Sequence, residues 1–163
     1  MKTIITIILI ITLANAQTIL DVEIGKEINT KHLLKVQDSV YRTDKLFNGQ
    51  KLGFVMVKEN VNGKVYTISL TTKPKSLADA FGVFKEWAIA MMKIYTVIDD
   101  VLDISTWEEY RSGASKLQYR LIADNGTIIY HKVTAEAKKD EYNVTLIYYN
   151  SEIANEKIAE YNF

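Results

Sequence analysis

The apolar positions of this chain follow two different periods. Around residues 65–71 they alternate with small polar residues: Tyr66, Ile68 and Leu70 fall on one side, Thr67, Ser69 and Thr71 on the other. A period of two marks a half-buried strand, because successive side chains leave opposite faces. Residues 53–58 form a second β-rich run, and Asn62-Gly63 between the two predicts a hairpin. Asn-Gly suits a type I′ turn, whose central residues both need positive φ. The period then changes. Leu77, Phe81, Phe84, Ala88, Met91, Tyr95, Ile98 and Leu102 make one stripe, and Val83, Trp87, Ala90, Ile94, Val97 and Val101 a second beside it. Opposite runs a polar stripe of Asp79, Gly82, Glu86, Lys93, Thr96, Asp100 and Asp103, broken by Ile89. Two adjacent apolar stripes predict a helix over 76–102 that lies across a sheet. Ser76 suits its N-cap, with Asp79 three residues on to favour the positive helix start.

The flanking segments complete the pattern. Ile19, Leu20, Val22 and Ile24 partly alternate with Asp21 and Glu23 and predict a short strand. Asn29 or Thr30 caps a brief expected helix carrying Leu33, Leu34 and Val36, and Asn48-Gly49 reads as a turn. Ser105 with Glu108 makes a capping box for a short helix to Tyr110. Strands are predicted over 117–123 and 127–135, joined by Asp124-Asn125-Gly126, and over 142–149 after the charged bend at 138–141. Together these three make an antiparallel meander. Ser151 then caps an amphipathic piece with Ile153, Ala154, Ile158 and Tyr161. The expected fold is a single α+β domain over 17–163, with an antiparallel sheet of about five to six strands covered by one long helix, plus short helices.

The first residues change where such a domain works. Met1-Lys2 is a short positive start, residues 3–13 are an apolar run rich in Ile, and Ala14-Asn15-Ala16 is a small-x-small site. That is the pattern of a secretory signal peptide at 1–16, too short for a comfortable membrane span. It places cleavage near Ala16 and the mature chain in the periplasm or outside the cell. The whole chain carries 20 Lys+Arg against 20 Asp+Glu, and loss of Lys2 with the leader leaves a formal charge of −1. Such a balance gives no electrostatic reason to bind nucleic acid or anionic lipid. There is no cysteine. Disulfide staples and a lipoprotein anchor are therefore excluded, and packing alone must hold the domain. Asn125-Gly126-Thr127 and Asn143-Val144-Thr145 match the glycosylation pattern but read as turn and strand residues of a bacterial protein.

The run Val65-Tyr66-Thr67-Ile68-Ser69-Leu70, then Ser76-Leu77, the long helix, and a meander closing on Tyr142-Asn143-Val144-Thr145-Leu146 resembles the layout of PsbP-like exported accessory domains. The resemblance covers roughly residues 50–163 and implies a small exported accessory domain, of a kind that is usually not an enzyme. The same order of elements is similar to profilin-like and PAS-like topologies.

Candidate chemistry is sparse. Asp99-Asp100-Val101-Leu102-Asp103 resembles the DDxxD motif of isoprenoid synthases. Carboxylates one helical turn apart can share a hard cation. Those enzymes are large and all-helical, so Asp99, Asp100 and Asp103 are read first as a solvated helix end and second as metal candidates. His32 and His131 are the only histidines, and His131 shares a strand face with Ile129 and Val133, which marks a packing residue. A zinc site would need further ligands. Serine nucleophile motifs are absent, and Glu108-Glu109 diverge by about 100° on a helix. Trp87, Met91 and Tyr95 are candidates to line an apolar ligand cavity, and Tyr119 and Tyr130 to form a carbohydrate or peptide platform on the sheet. The ending Tyr161-Asn162-Phe163 resembles the sorting signal of outer-membrane barrels, but the long helix argues against a barrel. The expected function is an exported, non-enzymatic binding or accessory domain of a bacterial envelope. No cofactor and no membrane span in the mature chain are predicted. The partner would be a protein, a glycan or a small apolar ligand. The alternatives are a protein inhibitor or immunity-type partner, and a small metal-dependent hydrolase using Asp99, Asp100, Asp103 or His131.

Overall fold

The computed structural model describes residues 18–101, 118–136 and 141–160. Three short hairpins come first: β1 (Thr18–Ile19) with β2 (Val22–Glu23), β3 (Leu34–Gln37) with β4 (Val40–Arg42), and β5 (Leu46–Phe47) with β6 (Gln50–Lys51). The predicted hairpin follows as β7 (Phe54–Glu59) and β8 (Val65–Thr72). Then come α1 (Leu77–Met92), β9 (Thr96–Val101), β10 (Gln118–Ile122), β11 (Ile128–Glu136), β12 (Glu141–Tyr149) and α2 (Ser151–Glu160).

Eight of the strands form one antiparallel sheet in the order β3-β4-β7-β8-β12-β11-β10-β9. After β8 the chain leaves the sheet through α1, enters at the far edge as β9, and walks back through β10 and β11 until β12 pairs with β8. The hairpin and the meander stand where their patterning put them; the fold class is corrected. The protein is mostly β, not α+β: the sheet has eight strands, two further two-stranded sheets accompany it, and the described residues contain only two helices.

The main helix is also shorter than the periodicity suggested. α1 stops at Met92, and the stretch expected as its last turns is the edge strand β9. Thr96, Val97, Ile98 and Val101 are β-branched and lose rotamer freedom in a helix but fit a pleated edge. Ser76 does cap α1. Its Oγ accepts the Asp79 N–H at 3.1 Å and donates to the Asp79 carboxylate at 2.7 Å. The brief helix expected around Leu33 to Val36 is absent, because that segment is β3. Asn150 rather than Ser151 caps α2, with its Oδ1 accepting the Ile153 N–H. The capping box at Ser105 lies outside the described residues, as do the leader and the charged bend apart from Glu141.

Cross-strand register explains the core. Val55, Leu70, Leu146 and His131 lie side by side across β7, β8, β12 and β11, and Val57, Ile68, Tyr148, Ile129 and Leu121 make the next row. All nine are buried. Onto this face α1 sets Val83, Phe84, Trp87, Ala88 and Met91, at the three- and four-residue spacing of one helix side.

Candidate functional site

Trp87, Met91 and Tyr95 lie under and just after α1. Each is buried in the continuous core between α1 and the sheet. Trp87 takes the edge of Phe47 at 5.1 Å, the Tyr148 hydroxyl donates to the Met91 thioether at 3.3 Å, and Tyr95 meets Tyr148 edge-on at 6.3 Å. Tyr130 is half-buried on β11 and pairs in register with Arg120, whereas Tyr119 pairs with His131, so the two tyrosines alternate along the ladder. The structure does not bring them together as one platform.

The acidic motif also changes character. Asp99 and Asp100 are consecutive residues of β9, in register with Arg120 and Tyr119 of β10. The one-turn helical spacing that would let them share a cation does not exist there, and Asp103 lies outside the described residues. Among the described residues no group of three or more His, Asp or Glu side chains could hold a metal. His131 is fully buried, stacked on Phe84 and Trp87, and its burial pushes the imidazole down to about 3. A neutral ring sealed under α1 has no route to a substrate.

The concavity lies on the other side of α1. A groove of about 1610 Å³ runs between the first half of that helix and the chain from Lys31 to Gly53. Its helix wall is Ala78, Asp79, Gly82, Val83 and Glu86, which includes three residues of the polar stripe. Its opposite wall is the start of β3 and the small β5–β6 hairpin. The end of β8 closes the floor, where Thr72 Oγ1 donates to the Lys51 carbonyl at 2.9 Å and the Gly53 N–H to the Thr71 carbonyl at 2.7 Å.

Local chemistry fixes these walls. Asn48 and Gly49 have φ of 45° and 77°, the two positive angles of a type I′ turn, so β5–β6 closes tightly. Phe47 then pins the hairpin onto Trp87. At the Asn62-Gly63 site, where that turn was expected, only Gly63 has positive φ and a longer loop folds on the Asn60 side chain. A second clamp starts from strain. Leu20 and Asp21, at φ 54° and 66°, make the β1–β2 turn without glycine. Asp21 accepts from Lys45 Nζ at 2.6 Å and lies 3.2 Å from His32 Nε2, tying the segments before β3 and β5 to one carboxylate. Lys45 holds that carboxyl below its ordinary range.

Charge is concentrated in the groove. Lys31, Arg42, Lys51, Lys73 and Lys75 line it against Asp44, Asp79 and Glu86. Among the described residues none of these eight charged groups is held in an ion pair, so the lining carries an excess of positive charge. Apolar side chains sit beside them: Leu46 is 61% exposed and Leu34 is 71% exposed. Sequence reading missed this site because its cations are scattered along the chain. The pair flanking Pro74 was the available signal.

No family model, no curated protein and no solved structure matches this chain. No helix among the described residues is long and apolar enough to cross a membrane.

Proposed function

We propose that this chain is an exported, non-enzymatic binding module and that it takes an anionic, elongated ligand in the groove beside α1. The observation that carries this reading is the set of five cations without ion-pair partners among the described residues, gathered on one concave surface. Unpaired charges in a concavity focus a positive potential even when the whole chain is neutral. A space of about 1610 Å³ exceeds what one small molecule fills, which favours an extended occupant. Binding rather than catalysis is supported by His131, locked neutral under α1, and by Asp99 and Asp100, set along a strand. The leader-like first sixteen residues support the exported part of this reading.

The test is calorimetric titration of the purified protein with oligo-glutamate and with oligo-lysine, at low and at raised salt. Binding of the anion alone, weakening as salt screens the groove, is expected. Equal binding of both oligomers, or of neither, overturns the reading.

A further inference from the structure

We infer that the groove's occupant is an extended peptide segment of alternating acidic and apolar residues, which adds as a strand to the open edge of β3. This rests on the groove being the binding surface. β3 pairs with β4 on one side only, so it ends the eight-stranded sheet among the described strands. An edge strand offers a row of unused backbone N–H and C=O groups, and proteins commonly guard such rows with a lysine. Lys35 stands in that position, but its ammonium is drawn to Asp38 at the hairpin tip, 3.1 Å away. The neighbouring Leu34 and Val36 remain in water, 71% and 51% exposed.

Leu34 belongs both to this edge and to the groove, so the two features are continuous. An occupant bearing charge alone would leave Leu34 and Leu46 solvated, and a polysaccharide could not complete an amide ladder. A peptide strand satisfies all three surfaces at once. Its backbone pairs with β3, and its side chains alternate by the period of two. The apolar set lies on the face of Leu34, and the acidic set, leaving the opposite face, meets Lys73 and Lys75.

The probe is a peptide of about eight residues alternating glutamate and leucine, with a copy N-methylated at alternate residues. Binding to the purified protein is measured by fluorescence anisotropy, alongside the double variant Lys73→Glu/Lys75→Glu. Both lysines are exposed, and a thermal midpoint matching the wild type shows that the variant is folded. We expect at least a tenfold loss of affinity from the double variant, and at least a tenfold loss from N-methylation, which leaves every charge in place. If the N-methylated peptide binds as well as the parent, or an oligogalacturonate binds as tightly, strand addition is overturned while the anionic groove stands. If the parent peptide binds the double variant unchanged, the groove itself is overturned.

Discussion

The imidazole of His131 lies flat on the ring of Phe84, with centroids 4.3 Å apart and planes inclined by 24°. Burial lowers its pKa from 6.5 to about 3, so the unfolded chain takes up the proton first as pH falls. Above about pH 6.5 the group costs nothing, and between that value and 3 each pH unit removes roughly 1 kcal/mol of stability. Urea midpoints measured from pH 7 to 4 therefore fall more steeply for the wild type than for His131→Leu. Parallel slopes would refute the assignment.

Gly82 interrupts the solvent side of α1, and a Cβ built there meets nothing within 4 Å. Gly82→Ala is expected to stabilise the protein by about 0.5–1 kcal/mol, because alanine loses less backbone entropy in a helix. Gly82→Trp projects into the groove instead. Its predicted effect is weaker oligo-glutamate binding by calorimetry with little change in thermal midpoint.

Two glycines with positive φ separate strain from crowding. Gly25 sits at 88°, and an added Cβ would lie 3.3 Å from the Ile153 Cδ1 on α2; Gly49 sits at 77° with nothing within 4 Å. Both alanine variants incur the left-handed backbone cost of about 1 kcal/mol. Gly25→Ala also has to displace Ile153, so denaturant melts should rank it clearly below Gly49→Ala.

Phe47 holds the β5–β6 wall against Trp87. Phe47→Ala removes a half-buried ring and its edge-on contact, a loss of about 1–3 kcal/mol. Because that wall borders the groove, oligo-glutamate affinity falls too. Unchanged affinity in a destabilised variant would show that the hairpin does not shape the site.

Strands with strong local patterning were legible in the sequence. β7, β8, β10, β11 and β12 stand where alternation and turn residues put them, and Ser76 caps α1 as its spacing with Asp79 foretold. The expected end of the helix failed for a physical reason. Ile94, Val97 and Ile98 continue the helical stripe, and neither Gly nor Pro marks the exit after Met92. What decides the matter is pairing with β10, a contact remote in sequence. Residues 18–51 were opaque because their strands are two to four residues long, too short to show a period. Two of their turns use Leu20, Asp21 and Ser39 at positive φ, where glycine or asparagine would have been the readable choice.

The groove was illegible for another reason. A net charge averages over the whole surface, whereas Lys31, Arg42, Lys51, Lys73 and Lys75 meet only after the hairpins fold beside α1. Of the candidates chosen from sequence, Trp87, Met91 and Tyr95 turned out to be what holds α1 down. Asp79, Gly82 and Glu86 of the polar stripe behind them line the groove.

The sheet's strand order has a consequence for how the chain is made. β8 lies at its centre, yet its second partner, β12, arrives about seventy residues later, with Thr72 opposite Val144. Until the C-terminal segment has emerged, the N-terminal hairpins form an unfinished half with β8 as a bare margin. Pairings so distant in sequence close slowly. A nascent chain of this order cannot close its central sheet until its synthesis is nearly complete.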